Sequence, residues 1–417
     1  MRMNKKKEIV PKLRFSEFSK SYWGITQLNM LAGKITERNK DDSIKRVFTN
    51  SATEGVIDQE EYFDRNIANK NNLTDYFVVE KGDYVYNPRI STTALVGPIS
   101  KNKLGIGVMS PLYTIFRFKN KGNDFYEHFF LTNLWHAYIK NLSNTGARHD
   151  RITISVDNFM KMPLPYASPE EQQKIADCLS SIDELIDTES RKLKALEKYK
   201  KGLMQKLFPT EGKTLPEWRF PEFQGCGEWK YEEIGNIGEV ITGKTPSTSD
   251  AALWDGDIQF VTPTDITENK YQHHTQRTVV KTPKMKVLPK YTIMYTCIAS
   301  IGKMALSLYP CITNQQINSI VPKSFYNNEF IYYSLLQKTF LIKAGFANST
   351  LPIINKTDFS KIQVPVILDK KEQEKIAGCL SEIDTMITEQ LKKIERLETH
   401  KKGLMQGLFP SLEEADV

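Results

Sequence analysis

At 417 residues, with 40% hydrophobic and 26% charged positions, the chain is too long for one ordinary core and has a globular composition. Fifty-seven Lys and Arg against fifty Asp and Glu leave a net charge of +7, which permits a polyanionic partner without demanding one. Cys178, Cys226, Cys297, Cys311 and Cys379 include no C-x-x-C pair and lie near no histidine cluster, which argues against zinc and a disulfide framework and fits a reducing cytoplasm.

Residues 1–23 form an N-terminal segment. Met1–Lys7 is basic, but no apolar run follows it, so no signal peptide is expected. No membrane span is expected either, because the most apolar stretch, Thr292–Leu306, is broken by Gly302 and Lys303.

Residues 24–165 read as a first mixed α/β domain, with short β-branched and aromatic runs such as Tyr76-Phe77-Val78-Val79 and Leu112–Phe116 between turns. Its loops carry donors suited to base edges and phosphates: Tyr86, Asn87, Arg89, Ser91 and Thr92, then Asn144, Arg148, His149 and Arg151, with Lys101 and Lys103 as further cations. Taken singly, each suits a solvated turn or a local cap; the clusters carry the reading.

Residues 166–210 read as one long helix. Pro169 suits a first turn with Ser168 as N-cap, and Phe208-Pro209 ends it. Ile175, Ile182, Leu196 and Leu203 recur at heptad spacing, flanked by Leu179 and Ile186, and Glu189 interrupts the row. Acidic residues dominate its first half and basic residues its second.

Residues 211–365 read as a second mixed α/β domain. Its candidate DNA-contacting residues are Lys244, Thr245, Ser247, Lys303, Asn314, Gln315, Gln316, Asn348 and Ser349. Residues 366–410 repeat the long helix, with Ile376, Ile383, Leu397 and Leu404 in its row, Leu380 and Ile387 beside them, and Gln390 at the interruption; 411–417 is a tail.

The second half restates the first. Glu171-Gln172-x-Lys174-Ile175-Ala176 returns as Glu372-Gln373-x-Lys375-Ile376-Ala377. The same offset carries Lys200–Gln205 onto Lys401–Gln406 and Leu207-Phe208-Pro209 onto Leu408-Phe409-Pro410. Upstream, Pro11-x-Leu13-Arg14-Phe15 matches Pro216-x-Trp218-Arg219-Phe220. Between these borders the two halves look unrelated. Two helices with one pattern favour each other as partners, and their charge gradients favour antiparallel packing, which sets acid against base. A helix of this length spans ~60 Å and would hold the two inserts apart.

No catalytic constellation emerges. Asn87-Pro88 resembles the opening of an amino-methyltransferase loop, but Arg89-Ile90 follow and no Gly-rich cofactor loop precedes it. Asp265 with Glu268-Asn269-Lys270 reads as a surface turn and not a nuclease metal triad, and there is no phosphate-binding G-x-x-x-x-G-K-[ST] loop.

The Glu-Gln-x-x-Ile-Ala-x-x-Leu-Ser-x-Ile-Asp and Lys-Lys-Gly-Leu-Met-Gln-x-Leu-Phe-Pro blocks, each present twice, resemble those of the specificity subunits of type I restriction–modification enzymes. Gly243–Ser247 and Ile353–Pro365 resemble the opening and closing of that family's target-recognition domain. The resemblance implies an α/β (α+β) protein of two target-recognition domains separated by an antiparallel coiled coil with a pseudo-two-fold repeat. It implies a non-catalytic subunit that binds double-stranded DNA and docks two modification and two restriction subunits. S-adenosylmethionine, ATP and Mg2+ would belong to those partners, and no cofactor or metal to this chain. A stand-alone DNA-binding or scaffold protein is the alternative.

Overall fold

A computed structural model describes residues 9–62, 73–145, 150–298, 300–346 and 353–411. The chain divides into two compact units, one of residues 1–187 with 395–417 and the other of residues 188–394. Both long helices follow the sequence signals. The central helix covers Pro169–Leu207 and the C-terminal helix Lys370–Leu408. Ser168 Oγ accepts from Glu171 N, and Asp369 Oδ1 accepts from Lys371 N and Glu372 N, which satisfies orphan donors of each first turn.

In the first unit the neck of the insert is an antiparallel pair, Gly24–Gln27 against Pro163–Tyr166. Above it, four antiparallel strands lie in the order Ala32–Lys34, Thr114–Phe118, Tyr84–Tyr86, Ile99–Lys101. The helix Asp124–Phe130 covers them, and a short helix Val156–Met160, capped by Ser155, leads back to the neck. The core is aromatic: Trp23, Tyr84, Tyr86, Phe116, Phe125, Phe129, Trp135 and Phe159 are all buried in one cluster.

The second unit repeats this plan. Its neck pairs Lys230–Glu233 with Gln363–Val366. Its sheet runs Gly238–Thr242, Ile317–Pro322, Ile293–Thr296, Met304–Ser307, with Tyr271–Gln272 added in parallel at the edge. Asn328–Phe346 covers it, and Lys356–Ser360, capped by Asn355, returns to the neck. The inserts that look unrelated in sequence therefore share one topology, which corrects that expectation. A buried strand demands apolar bulk, and volume-conserving exchanges satisfy it. What persists is a ring contact, Tyr86 on Phe159 at 4.7 Å and Tyr295 on Phe359 at 5.0 Å. A turn also persists, at Gly97 (φ +79°) and Gly302 (φ +82°). A second small sheet accompanies the first in each unit: Trp254–Val261 pairs antiparallel with Arg277–Val279 and parallel with Cys311–Thr313, and Phe48–Ser51 pairs antiparallel with Gly55–Asp58 while Val47 bridges Val108 in parallel.

Each unit joins the start of one long helix to the end of the other. In the first, Ile175 and Leu179 share the aromatic core with Leu408 and Phe409. In the second, Ile376 and Leu380 share a core with Met204, Leu207 and Phe208. These four residues, expected in the helix-pair seam, thus also anchor the inserts. Ile383 is buried, whereas Ile182, Ile186, Leu196, Leu203, Ile387, Leu397 and Leu404 are half-buried. Within the second unit the helices run antiparallel, since Glu189 meets Gln390 while Lys200 meets Asp384. Glu189 and Gln390, the two polar interruptions, are buried against each other with Nε2 of the glutamine 2.6 Å from the carboxylate. Lys200–Asp384 and Lys401–Asp183, both 2.5 Å, are the same contact by the repeat, one in each unit.

The duplicated upstream block is explained by a second joint. Arg14 holds Glu171 through two hydrogen bonds of 2.7 Å, and Arg219 holds Glu372 at 2.8 and 2.7 Å. Trp23 and Trp229 are buried beside them, edge-on to Phe125 and Phe208 at 5.6 Å each.

Candidate nucleic-acid interface

In the first unit, strand Tyr84–Tyr86 runs out into a loop that returns as Ile99–Lys101. Asn87 makes the exit: its Nδ2 donates to Asn50 O at 2.9 Å and its Oδ1 accepts from Arg89 N at 3.0 Å, an Asx turn. Gly97 closes the loop so tightly that a Cβ there would lie 1.9 Å from Asn87 O. Outside the turn, Ile90 N donates to Asp150 O at 3.0 Å and Ile152 N to Pro88 O at 2.9 Å, which sets Arg89 directly opposite Arg151. Arg89, Ser91 and Thr92 are exposed, and Ser91 Oγ fixes the bend by accepting from Ala94 N at 3.1 Å.

Two expected contact residues lie inside instead. Tyr86 is 1% exposed with its hydroxyl on Val96 O, and Asn87 is buried with both ends of its amide engaged; they shape the loop. Lys101 and Lys103 are paired with the covering helix, 2.5 Å from Asp124 and Glu127 respectively, along a groove that Thr93, Ala94 and Gly97 of the loop also line. Asn144 opens a two-residue strand paired with Ile152–Thr153, while Arg148 and His149 fall outside the described residues.

In the second unit three loops converge. Gly243 N donates to Ile317 O at 3.1 Å, Thr245 Oγ1 to Gln315 Oε1 at 2.7 Å, and Cys297 N to Gln316 O at 2.8 Å. Gly243 is required by close approach, because a Cβ would fall 2.2 Å from Asn314 O. Asn314, expected at the surface, is buried and holds the turn, its Oδ1 accepting from Gln316 N. Ser247 O accepts from Trp254 Nε1 at 2.9 Å, and Lys303 is exposed at the turn tied to Thr296. Asn348 and Ser349 fall outside the described residues.

A groove of about 750 Å³ opens beside Lys244 and Thr245, rimmed by Lys284 and Lys286. Sequence reasoning missed Lys284, and it missed Arg277, whose guanidinium stacks 3.4 Å from the Trp254 ring centre. Neither stands in a motif; the strand that brings Arg277 over Trp254 is a long-range pairing that local pattern does not reveal.

The arrangement supplies donors and cations on strand-end loops. Asp265 caps its own turn, accepting from Thr262 N at 2.8 Å and Gln276 N at 2.9 Å. Burial pushes the Cys297 and Cys311 thiols up to about 11 and about 12, away from nucleophilic use. Among the described residues no group of three or more His, Cys, Asp or Glu could hold a metal, and no helix is long and apolar enough to cross a membrane.

The comparisons with known proteins agree with this layout. The family described as "Type I restriction modification DNA specificity domain" matches residues 31–198 and 227–399. The MjaIX type I restriction enzyme specificity subunit of Methanocaldococcus jannaschii is 32% identical over 194 residues, 45% of this chain and 45% of that protein. The chain thus spans less than half of that relative in the matched stretch. A putative MjaX specificity subunit of the same organism is 27% identical over 299 residues, covering 70% of this chain and 68% of the other. In fold, the crystal structure of a type I restriction–modification S subunit from M. genitalium matches with a TM-score of 0.61 at 16% identity, over 96% of this chain and 99% of that one. With its family matched in both halves, this chain belongs to the type I restriction–modification DNA specificity family.

Proposed function

We propose that the chain is the DNA-reading subunit of a type I restriction–modification complex and does no chemistry itself. It binds a bipartite, asymmetric target, one half-site per unit, and docks two modification and two restriction subunits that carry S-adenosylmethionine, ATP and Mg2+. The observation that carries this reading is one fold present twice with different side chains on the same loops, each copy fastened to the long helices by the same joints. A scaffold repeated to hold different loops is what reading two different base sequences requires.

Methylome sequencing of the host with and without this gene tests it. Adenine methylation at sites of two separated half-sequences should vanish on deletion and return with the gene. Methyl transfer by this chain purified free of any partner would overturn the reading, as would an unchanged methylome.

A further inference from the structure

The Arg89–Arg151 crossing is an antiparallel pair of the non-hydrogen-bonded kind, since the flanking residues Ile90 and Ile152 make the bonds. In that kind the two Cα atoms are ~4.5 Å apart and the side chains leave from the same face. Two like charges placed so are unfavourable unless something electron-rich joins them. No acid among the described residues does. Arg89 is exposed with no side-chain acceptor among the described residues. Asp150 lies 3.8 Å from Arg151 Nε, and that Nε has no hydrogen-bond partner among the described residues.

The second unit has a crossing of the same kind, with Ile354 N donating to Cys297 O, and there Ile298 faces Ile353. Each crossing begins three residues past the matched tyrosine, Tyr86 or Tyr295. On the returning strand Arg151 stands four residues before the cap Ser155, and Ile353 two before Asn355. Ile353 is 55% exposed, an apolar side chain left in water beside a second isoleucine. One backbone device therefore presents two cationic forks in one unit and two branched hydrocarbons in the other.

Resting on the DNA-reading role above, we propose that this crossing determines base specificity in each unit. Arg89 and Arg151 take the O6/N7 acceptor edge of guanine in one half-site; Ile298 and Ile353 take the C5-methyl group of thymine in the other. Guanine is the base whose major-groove edge offers two acceptors to an arginine fork, and thymine the base that offers a methyl group.

The test is selection from a random duplex pool by the full-length chain together with its modification subunit, followed by binding to the selected duplex over a range of salt. Arg89→Lys and Arg151→Lys keep charge and surface exposure but lose the fork. Each should reduce preference for one guanine in one half-site roughly ten- to a hundredfold, with the other half-site and the salt slope unchanged. Replacing thymine by uracil in the other half-site, which removes only the methyl group, should weaken wild-type binding roughly fourfold. Ile353→Ala should erase that difference. A loss equal on all sequences with a flatter salt slope would make the arginines phosphate contacts and overturn the proposal, as would guanine preference unchanged in both lysine variants or indifference to uracil. If the wild-type complex selects no sequence at all, the DNA-reading role itself fails and this inference with it.

Discussion

Arg14 and Glu171 show what a single joint contributes. The glutamate side chain is 1% exposed and its charge is balanced by one bidentate guanidinium, itself 9% exposed. Removing the arginine strands a buried carboxylate, so Arg14→Ala should cost about 3–5 kcal/mol, read as a loss of first-unit stability in chemical denaturation. Replacing both partners by apolar residues should cost far less; an equal loss would mean that packing of the N-terminal segment and not the charge is at stake. A second residue couples the first unit to pH. His128 is 4% exposed, with Nε2 3.2 Å from Ser180 Oγ, and burial first, then Lys401, lowers its pKa below the usual 6.5. The unfolded chain therefore takes up this proton first as the medium is acidified. The stability from neutral His128 is fully present above the ordinary histidine range and is lost as pH falls through the lowered value. The place matched to His128 in the second unit holds Tyr333, whose hydroxyl meets Ser381 at 3.2 Å and Asp384. His128→Tyr should flatten the pH dependence of first-unit unfolding between pH 8 and 5; an unaltered slope would assign it to other groups.

The long helices gain register from the buried polar layer at Glu189 and Gln390. Glu189 and Gln390 occupy equivalent places in the repeat and meet each other, and Lys393 adds a 2.5 Å contact to the same carboxylate. A buried polar pair of this kind specifies alignment at the expense of stability. The double variant Glu189→Leu/Gln390→Leu should melt at a higher temperature yet permit slipped pairings, visible as a broadened distribution of spin-label distances between the helices. A single sharp distance together with a raised melting temperature would deny the layer its aligning role. These helices were legible in the sequence because heptad spacing and charge gradient are local signals written twice. The sheets were not. Tyr84-Val85-Tyr86 and Ile293-Met294-Tyr295 answer the same requirement, full burial on both faces, with only the tyrosine at the exit in common, too little identity to betray their kinship. Site residues suffered from the opposite ambiguity. Asn87 and Asn314 have the chemistry of base readers but spend it on turns, and only the fold distinguishes the two uses.

At the scale of the whole molecule the inserts meet the frame through repeated contacts: a neck ladder, a buried tryptophan and an Arg–Glu pair in each unit. Exchange of residues 24–165 for those of a relative should therefore keep the fold and replace one half of the methylated target while the other half stays as it was, read by methylome sequencing. A swap that altered both halves would show that the units do not read independently.

The division of the chain also fixes an order of completion during synthesis. The second unit is one unbroken stretch, residues 188–394, but the first is finished by residues at the far end of the chain. Phe409 packs 5.1 Å from Phe125 and 5.8 Å from Phe129, beside the buried Leu408. After Phe129 leaves the ribosome some 280 residues (409 − 129) must still be added, which at ~5–20 residues per second takes tens of seconds. Throughout that interval the earlier-made domain waits with an open aromatic wall while the later-made one can close. The nascent first insert is thus the portion with most need of chaperone shelter, and a chain that stops before Leu408 should release a finished second unit tethered to an unfinished first.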